Sequence, residues 1–444
     1  MKTVIKYSLL ITCLCIGPFR DVSAQEKSPV SKKYMKEVKM VVKDSKITKA
    51  FEKIDELDSQ TVEDLILLTE IPAPPFQEDK RAAKFRDMLS EAGADKVWVD
   101  EVGNVIALRK GTDGSRTVVL DAHLDTVFPM ETDVKVKKKG DTLIAPGIGD
   151  DTRGLSMVLA VLRAMNAAEI KTTADVLFVG TVGEEGLGDL RGVKHLFREE
   201  SALKIDSWIS IDGGDIGRIN NGALGSLRYK AVFEGPGGHS WGAFGLANPH
   251  HALAKAIDYF SRAAFDYTSE GIKTSYNIGR IGGGTSVNSI PFESWFEVDM
   301  RSLDRNRLMT IDSIFKSTVN QAVVDYNASG VDDEVTLKLI QIGDRPSGKL
   351  STDIPLIQRA MAATQEFGVS PRPTTGSTNS SIPISMDIPA VTIGRGGRGG
   401  NAHSLDEWWA NKAGARAIKL AFLITVLEAE MDTTSLTGSA KQDR

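Results

Sequence analysis

Four places in this 444-residue chain deliver a His, Glu or Asp directly from an apolar run. In TVVLDAHLD (Thr117–Asp125), Val118, Val119 and Leu120 lead into His123 and Asp125, two positions apart. ADVLFVGTV (Ala174–Val182) leads into Glu184 and Glu185, SWISI (Ser207–Ile211) into Asp212, and PAVTIG (Pro389–Gly394) towards His403. A short continuous apolar run bounded by polar residues suits a strand buried on both faces, as in a parallel sheet. Open α/β sheets bind ligands at the carboxyl ends of their strands. Imidazole and carboxylate groups brought to one such edge make a metal site, and the chain reads as a metalloenzyme. Singly, each residue has an ordinary reading: an Asp after a strand caps a helix, and a Glu pair is solvated surface. Their joint occurrence carries the argument.

The elements that must position these groups follow an α/β order. A helical pattern spans Ile47–Leu68, with Phe51, Ile54, Leu57, Val62, Leu65 and Leu68 at mixed three- and four-residue spacings, and Pro72, Pro74 and Pro75 end it. An amphipathic helix at Asp79–Ala92 and strands at Lys96–Val99 and Asn104–Arg109 precede the His123 strand. A Lys-rich, hairpin-like insert covers Val134–Ala145. Pro146-Gly147-Ile148-Gly149-Asp150-Asp151 is a tight loop opening a helix whose Leu155–Met165 portion is apolar nearly all round, hence buried. A helix near Gly192–Glu200 precedes the Asp212 strand.

From Leu227 the pattern changes to strand (Leu227–Glu234), helix (Pro249–Ala264), two strands (Ser275–Ile281 and Trp295–Arg301), helix (Arg305–Tyr326) and strand (Glu334–Ile340). This β-α-β-β-α-β run is a compact, ferredoxin-like α+β unit of its own. Beyond Ser347 the α/β pattern resumes with a helix (Ile354–Phe367), a Thr/Ser/Gly loop, the Pro389–Ile393 strand, the His403 loop and a helix at Lys412–Glu430. The expected fold class is α/β, a mostly parallel sheet, interrupted by an inserted α+β domain. The expected segments are 1–24, 25–46, 47–225, 226–341 (the insert), 342–432 and a flexible tail at 433–444.

Composition is that of a globular protein, 41% hydrophobic and 25% charged, and a net charge of -5 gives no reason to expect nucleic acid. Lys2 and Lys6 precede an apolar segment, Tyr7–Phe19, and Val22-Ser23-Ala24 offers a small-residue cleavage site. That pattern resembles a secretory signal peptide processed after Ala24, with the protein periplasmic or secreted and not stably inserted in a membrane. Both cysteines, Cys13 and Cys15, lie in this leader, so any metal must be held by His and carboxylate. Residues Gln25–Lys46, rich in Lys, read as a mobile arm or frayed helix.

HLD, GDD, GEEG, IDGG and a late NAHS, in this order, resemble the co-catalytic dizinc exopeptidase family that includes peptidase T, carboxypeptidase G and the aminoacylases. IDGGDIGRI and the GDD form of the second motif are nearest the peptidase T branch. The resemblance implies a zinc-exopeptidase catalytic domain and an inserted dimerisation/lid domain, hence a homodimer. It also implies two Zn2+ per chain, replaceable by Co2+ or Mn2+. His123, Asp150, Glu185, Asp212 and His403 would be the metal ligands, Asp150 bridging, with the Asp150–Asp151 peptide cis as in relatives. Glu184 would be the general base and Asp125 the partner that orients His123. The implied reaction is hydrolysis of a terminal peptide bond of short peptides by metal-activated water. The alternative on the same centre is an N-acyl amino acid hydrolase.

The insert supplies further candidates. Gly235-Pro236-Gly237-Gly238-His239-Ser240 is a glycine-rich turn, and in relatives this His stabilises the oxyanion in the partner subunit's site. Asn288 and Arg301 match family positions that hold substrate polar groups, Arg301 with the fork to grip a carboxylate. Gly376-Ser377-Thr378-Asn379, where relatives commonly have Asp in place of Asn379, is placed at the substrate cleft. His195, His250 and His251 have no partner motif. The Gly394–Gly400 loop, with Arg395 and Arg398, lacks the Lys-Ser/Thr of a phosphate-binding loop and is read as shaping the approach to His403.

Overall fold

The strand Thr117–His123 lies in the middle of a nine-stranded sheet in this computed structural model, which describes residues 30–431. The expected leader and tail lie outside the described residues. The sheet runs Lys96–Val99, Val105–Arg109, Asp175–Thr181, Thr117–His123, Ser207–Ile211, Ala390–Ile393, Arg218–Ala223 and Gly348–Lys349, with Arg372–Gly376 also paired to Arg218–Ala223. Its four central strands are parallel, and pairing turns antiparallel at Val105–Arg109 on one side and Arg218–Ala223 on the other. The site-bearing strands are these central four. Both faces are covered: Val118 and Leu120 join the core built on the helices Thr152–Ala167 and Gly414–Glu428, while Val119 packs with Leu177, Trp208 and the Arg191–Leu196 helix. That two-sided burial is why these strands read as continuous apolar runs.

The insert is a four-stranded antiparallel sheet in the order Thr274–Gly283, Glu293–Ser302, Gly225–Glu234, Thr336–Arg345. Helices Pro249–Thr268 and Arg305–Asn327 pack on one face, where Phe260 meets Phe315 and Tyr276 edge-on, with centroids 5.2 Å apart in both pairs. The alternation along Glu293–Ser302 is regular, with Phe296, Val298 and Met300 buried and Trp295, Glu297, Asp299 and Arg301 on the opposite face. No helix of the described residues is long and apolar enough to cross a membrane.

Three expectations are corrected. The Lys-rich segment before residue 47 contains an ordered helix, Lys32–Val41, capped by Ser31, with Tyr34, Val38 and Val41 buried against Pro355–Glu366. Arg359 fixes it through Glu37 at 3.0 Å, and Ser31 N donates to Gln358 at 2.8 Å. Its apolar stripe is narrow, and the lysines around it masked the i, i+4, i+7 pattern. The helix expected over Ile47–Leu68 is two, Ser45–Glu56 and Asp58–Thr69, joined at Leu57. The first buries Ile47, Ala50 and Ile54 and the second Leu65 and Leu68, so the mixed spacing recorded a change of face. The last strand of the insert ends at Arg345, not Ile340, because a bulge between Gln341 and Gly343 carries the pairing on through a polar stretch.

Phe422 is fully buried in the Gly414–Glu428 helix, with its ring centroid 5.9 Å from that of Phe51. Phe422→Ala should cost about 3–5 kcal/mol. A urea unfolding midpoint unchanged from that of the wild type would contradict this packing.

Candidate metal centre

His123 ends its strand with its ring fully buried, and both ring nitrogens are engaged. Nε2 lies 3.1 Å from Asp150 Oδ1. Nδ1 lies 3.0 Å from the Asp125 backbone carbonyl and 3.7 Å from its carboxylate. The ring is hydrogen-bonded by the carbonyl of residue 125, while the carboxylate expected in that role stays 3.7 Å from Nδ1 and accepts from the loop after the neighbouring strand. There it accepts from Glu184 N at 2.9 Å and Glu185 N at 2.7 Å, fixing the loop that carries both glutamates.

Asp150 reaches the site from the loop before the Thr152–Ala167 helix, through a cis peptide to Asp151, whose carboxylate caps that helix by accepting from Gly154 N at 3.1 Å. Its second oxygen, Oδ2, lies 3.3 Å from His403 Nε2, and the same His403 nitrogen is 2.9 Å from Glu185 Oε1. Three three-residue sets result, His123–Asp150–Asp212, Asp150–Glu185–His403 and His123–Glu184–Glu185, each with its donor atoms within 4.8 Å of one another. The first two share one residue, Asp150. The nitrogen and oxygen donor set, without sulfur, fits divalent ions of the zinc, cobalt or manganese kind.

Burial pushes the Asp212 carboxyl above its usual range, and Asp150 adds to that effect. Burial would raise Asp150 as well, but the imidazoles of His123 and His403 reverse this and hold it well below. The carboxylates of Asp150 and Glu185 in turn raise His403 to about 10. Burial opposes the charged form of His123, yet Asp125 and Asp150 carry it well above the usual value. Glu184 is raised well above the usual carboxylate range, first by burial, with Arg345 opposing and Glu185 reinforcing.

Some contributors were not read from the sequence. Glu407 is fully buried and accepts from Gly147 N (2.9 Å) at one oxygen and from Gly149 N (2.9 Å) and Asp150 N (2.8 Å) at the other, so one carboxylate shapes the whole Asp150 loop. A Cβ on Gly149 would sit 2.6 Å from Arg395 Nη2 and 3.0 Å from Glu407 Oε1, so a side chain there would have to push the Arg395 guanidinium aside. Arg345 contacts Glu184 from the last strand of the insert. Asp121, beneath the site, takes hydrogen bonds from Ser210 and Asn379, and burial raises it to about 7. Asn379 is thus buried under the sheet edge and does not line the cleft. The available signal for Glu407 was an acid four residues after His403, ahead of Trp408 and Trp409.

The remaining sequence candidates make no hydrogen bond to the residues of this cluster. His239 is exposed on a two-residue bridge to Ser289–Ile290, its Nδ1 accepting from Trp241 N and Gly242 N at 3.2 Å. Asn288 is exposed and accepts from Ser286. Arg301 is paired with Asp299 at 2.6 Å, on the sheet face opposite the helices.

Residues 119–425 match the model of peptidase family M20/M25/M40. The chain belongs to this family. It is 23% identical over 359 residues to the uncharacterized protein YqjE of Bacillus subtilis, covering 76% of this chain and 91% of that protein. Identity to the succinyl-diaminopimelate desuccinylase of Corynebacterium glutamicum is 25% over 242 residues, 53% of this chain and 64% of that one. In fold it is similar to a tripeptidase from Staphylococcus aureus (TM-score 0.65, 22% identity, 84% of this chain and 98% of that chain). It is also similar to the di-peptidase Dug1p of Saccharomyces cerevisiae (TM-score 0.67, 16% identity, 86% and 98%). Enzymes of the M20 family are metal-dependent, and this member is a hydrolase of peptidase or amidase type acting on peptide-type substrates.

Glu407→Gln should weaken metal binding by about 10- to 100-fold, because it loosens the loop that presents Asp150. Competition with a chromophoric chelator reads this directly, and an unchanged affinity would separate Glu407 from the site. Protons compete with a metal ion for the imidazole nitrogens of His123 and His403, so metal uptake should release protons and weaken as pH falls. Calorimetric heats independent of the buffer's ionisation enthalpy would contradict this.

Proposed function

We propose that this chain is a dizinc exopeptidase of the peptidase T-like group, hydrolysing a terminal peptide bond of short peptides. The observation that carries the reading is the Asp150 carboxylate, with one oxygen 3.1 Å from His123 Nε2 and the other 3.3 Å from His403 Nε2. A carboxylate presented to two ligand sets in this way suits two ions about 3.5–4 Å apart. His123, Asp150 and Asp212 would hold one zinc ion, and Asp150, Glu185 and His403 the other, with cobalt or manganese as substitutes. When bound, the ions supply positive charge that polarises the amide carbonyl and acidifies the attacking water.

Glu184 is outside the two sets that share Asp150 and forms a third with His123 and Glu185, which keeps it beside both ion positions. As general base it takes a proton from water while the water oxygen bonds to the amide carbon. As the C–N bond breaks, it returns that proton to the leaving nitrogen. A carboxylate raised by burial is suited to hold the proton between the two steps. Glu184→Gln should retain metal and lose about 10²- to 10⁴-fold in kcat. Unchanged turnover would remove Glu184 from this role.

His239 supports a homodimer in which it acts on the partner's substrate. It is exposed and hydrogen-bonded to none of its own chain's cluster, and two backbone N–H groups occupy Nδ1, so the neutral ring carries its proton on Nε2. Mixing inactive His239→Ala and Glu184→Gln chains should restore part of the activity; none restored would place its action within one chain. Asn288 and Arg301 are the proposed substrate-binding groups. Export through residues 1–24 is also proposed, and the N-terminal sequence of the mature protein tests processing after Ala24.

Hydrolysis of N-acyl amino acids is the second reading, favoured by the likeness to a desuccinylase. A panel of di- and tripeptides and N-acyl amino acids, assayed before and after chelation, separates the two. Chelator-sensitive cleavage of the peptides supports the first. Cleavage of the acyl compounds alone supports the second.

A further inference from the structure

Arg345 is 4% exposed, at the end of the strand Thr336–Arg345, opposite Ser226. Its Nη1 donates to Glu184 Oε1 at 3.3 Å and to Ser377 Oγ at 2.8 Å, and its Nη2 donates to the Glu184 backbone carbonyl. Nε is sealed from solvent, 3.8 Å from Asp189 Oδ1. Asp189 in turn accepts from Asp344 N, at 3.0 Å from each oxygen, and from Lys194 Nζ at 2.5 Å, which ties the end of this strand to the loop after the glutamate pair.

Glu184 is therefore gripped on three sides. Its N–H is held by Asp125, and its carbonyl and Oε1 by the one guanidinium. Its other oxygen, Oε2, takes no hydrogen bond from a described residue and is not among the oxygens sealed from solvent. One carboxylate oxygen is clamped and the other is left open, as a group needs that must point at a water molecule. Three of the guanidinium's five N–H donors go to Glu184 and Ser377, and Nε is sealed from solvent, so the side chain is turned to the protein more than to a substrate.

We propose that Arg345 is the positioning residue of the general base: the inserted unit's last strand sets the orientation of Glu184 in the metal cleft. This rests on the reading of Glu184 as the base. Arg and Lys are not equivalent here, because a single ammonium cannot span Oε1 and the backbone carbonyl as the planar fork does.

The test uses the zinc-loaded full chain and one peptide substrate, with Arg345→Lys, Arg345→Met, Glu184→Gln and the Glu184→Gln/Arg345→Met double variant. Misplacing the base should lower kcat by about 10²-fold in Arg345→Met, with Arg345→Lys recovering part of the loss. KM should stay within about twofold and zinc content should match that of the wild type, since only the base is disturbed. In the Glu184→Gln background, Arg345→Met should cause no further loss, because its partner carboxylate is already gone. A raised KM with kcat intact would give Arg345 to the substrate and overturn the proposal. So would an undiminished loss in the Glu184→Gln background, or loss of zinc or of fold in both Arg345 variants. If Glu184→Gln alone keeps wild-type kcat, the base reading itself fails, and that is seen without any Arg345 variant.

Discussion

Crowded negative charge is the constraint on which this structure depends. Asp125, Asp151, Glu184, Glu185 and Glu407 are buried near one another, with Asp150 and Asp212 beside them. Carboxylates taken out of water repel one another unless each is given donors or opposite charge. The chain answers with different means at each position. Asp125 and Glu407 are met by backbone N–H groups, Asp151 by the start of a helix, Asp150 by two imidazoles and Glu184 by a guanidinium. Asp212 and Glu185 complete the two sets around Asp150, and divalent cations suit what remains.

Much of this was legible in the sequence because the strands announce it. Buried on both faces, Thr117–His123, Asp175–Thr181, Ser207–Ile211 and Ala390–Ile393 are each mostly apolar, and the acid or His that ends or follows each marks the sheet edge. The insert was legible for a related reason: its strands pack on helices from one side only, so they alternate. The expected β-α-β-β-α-β order matches the observed elements, though Thr336–Arg345 runs farther than its hydrophobic pattern.

What escaped was whatever acts through backbone or across the chain. Glu407 sits in an irregular loop, and its three partners are main-chain N–H groups 257 to 260 positions away, which leave no trace in side-chain type. Arg345 lies 161 positions from Glu184, past a bulge, in a stretch whose Gly-Asp-Arg reads as a turn. The Lys32–Val41 helix was hidden by composition: lysines cover its exposed face, and three buried residues hold it down. Asp125 lies beside His123, but its carboxylate and carbonyl divide the work differently from the pattern expected of it.

The inserted unit enters and leaves the nine-stranded sheet at adjacent points. Gly348 pairs with Ala223 in the large sheet and Arg345 with Ser226 in the small one, so one antiparallel ribbon runs from the first into the second. Each sheet has its own hydrophobic cluster. To the large sheet, the chain from Gly225 to Ser347 is therefore equivalent to a tight hairpin turn whose ends are already together. The entropy of closing a loop grows only slowly with its length, and a loop that folds on its own core escapes even that growth. The excursion can lengthen, shorten or change its outer face without altering the register of the strands that lead to His123, Glu185, Asp212 and His403, so long as the ribbon at its base is kept.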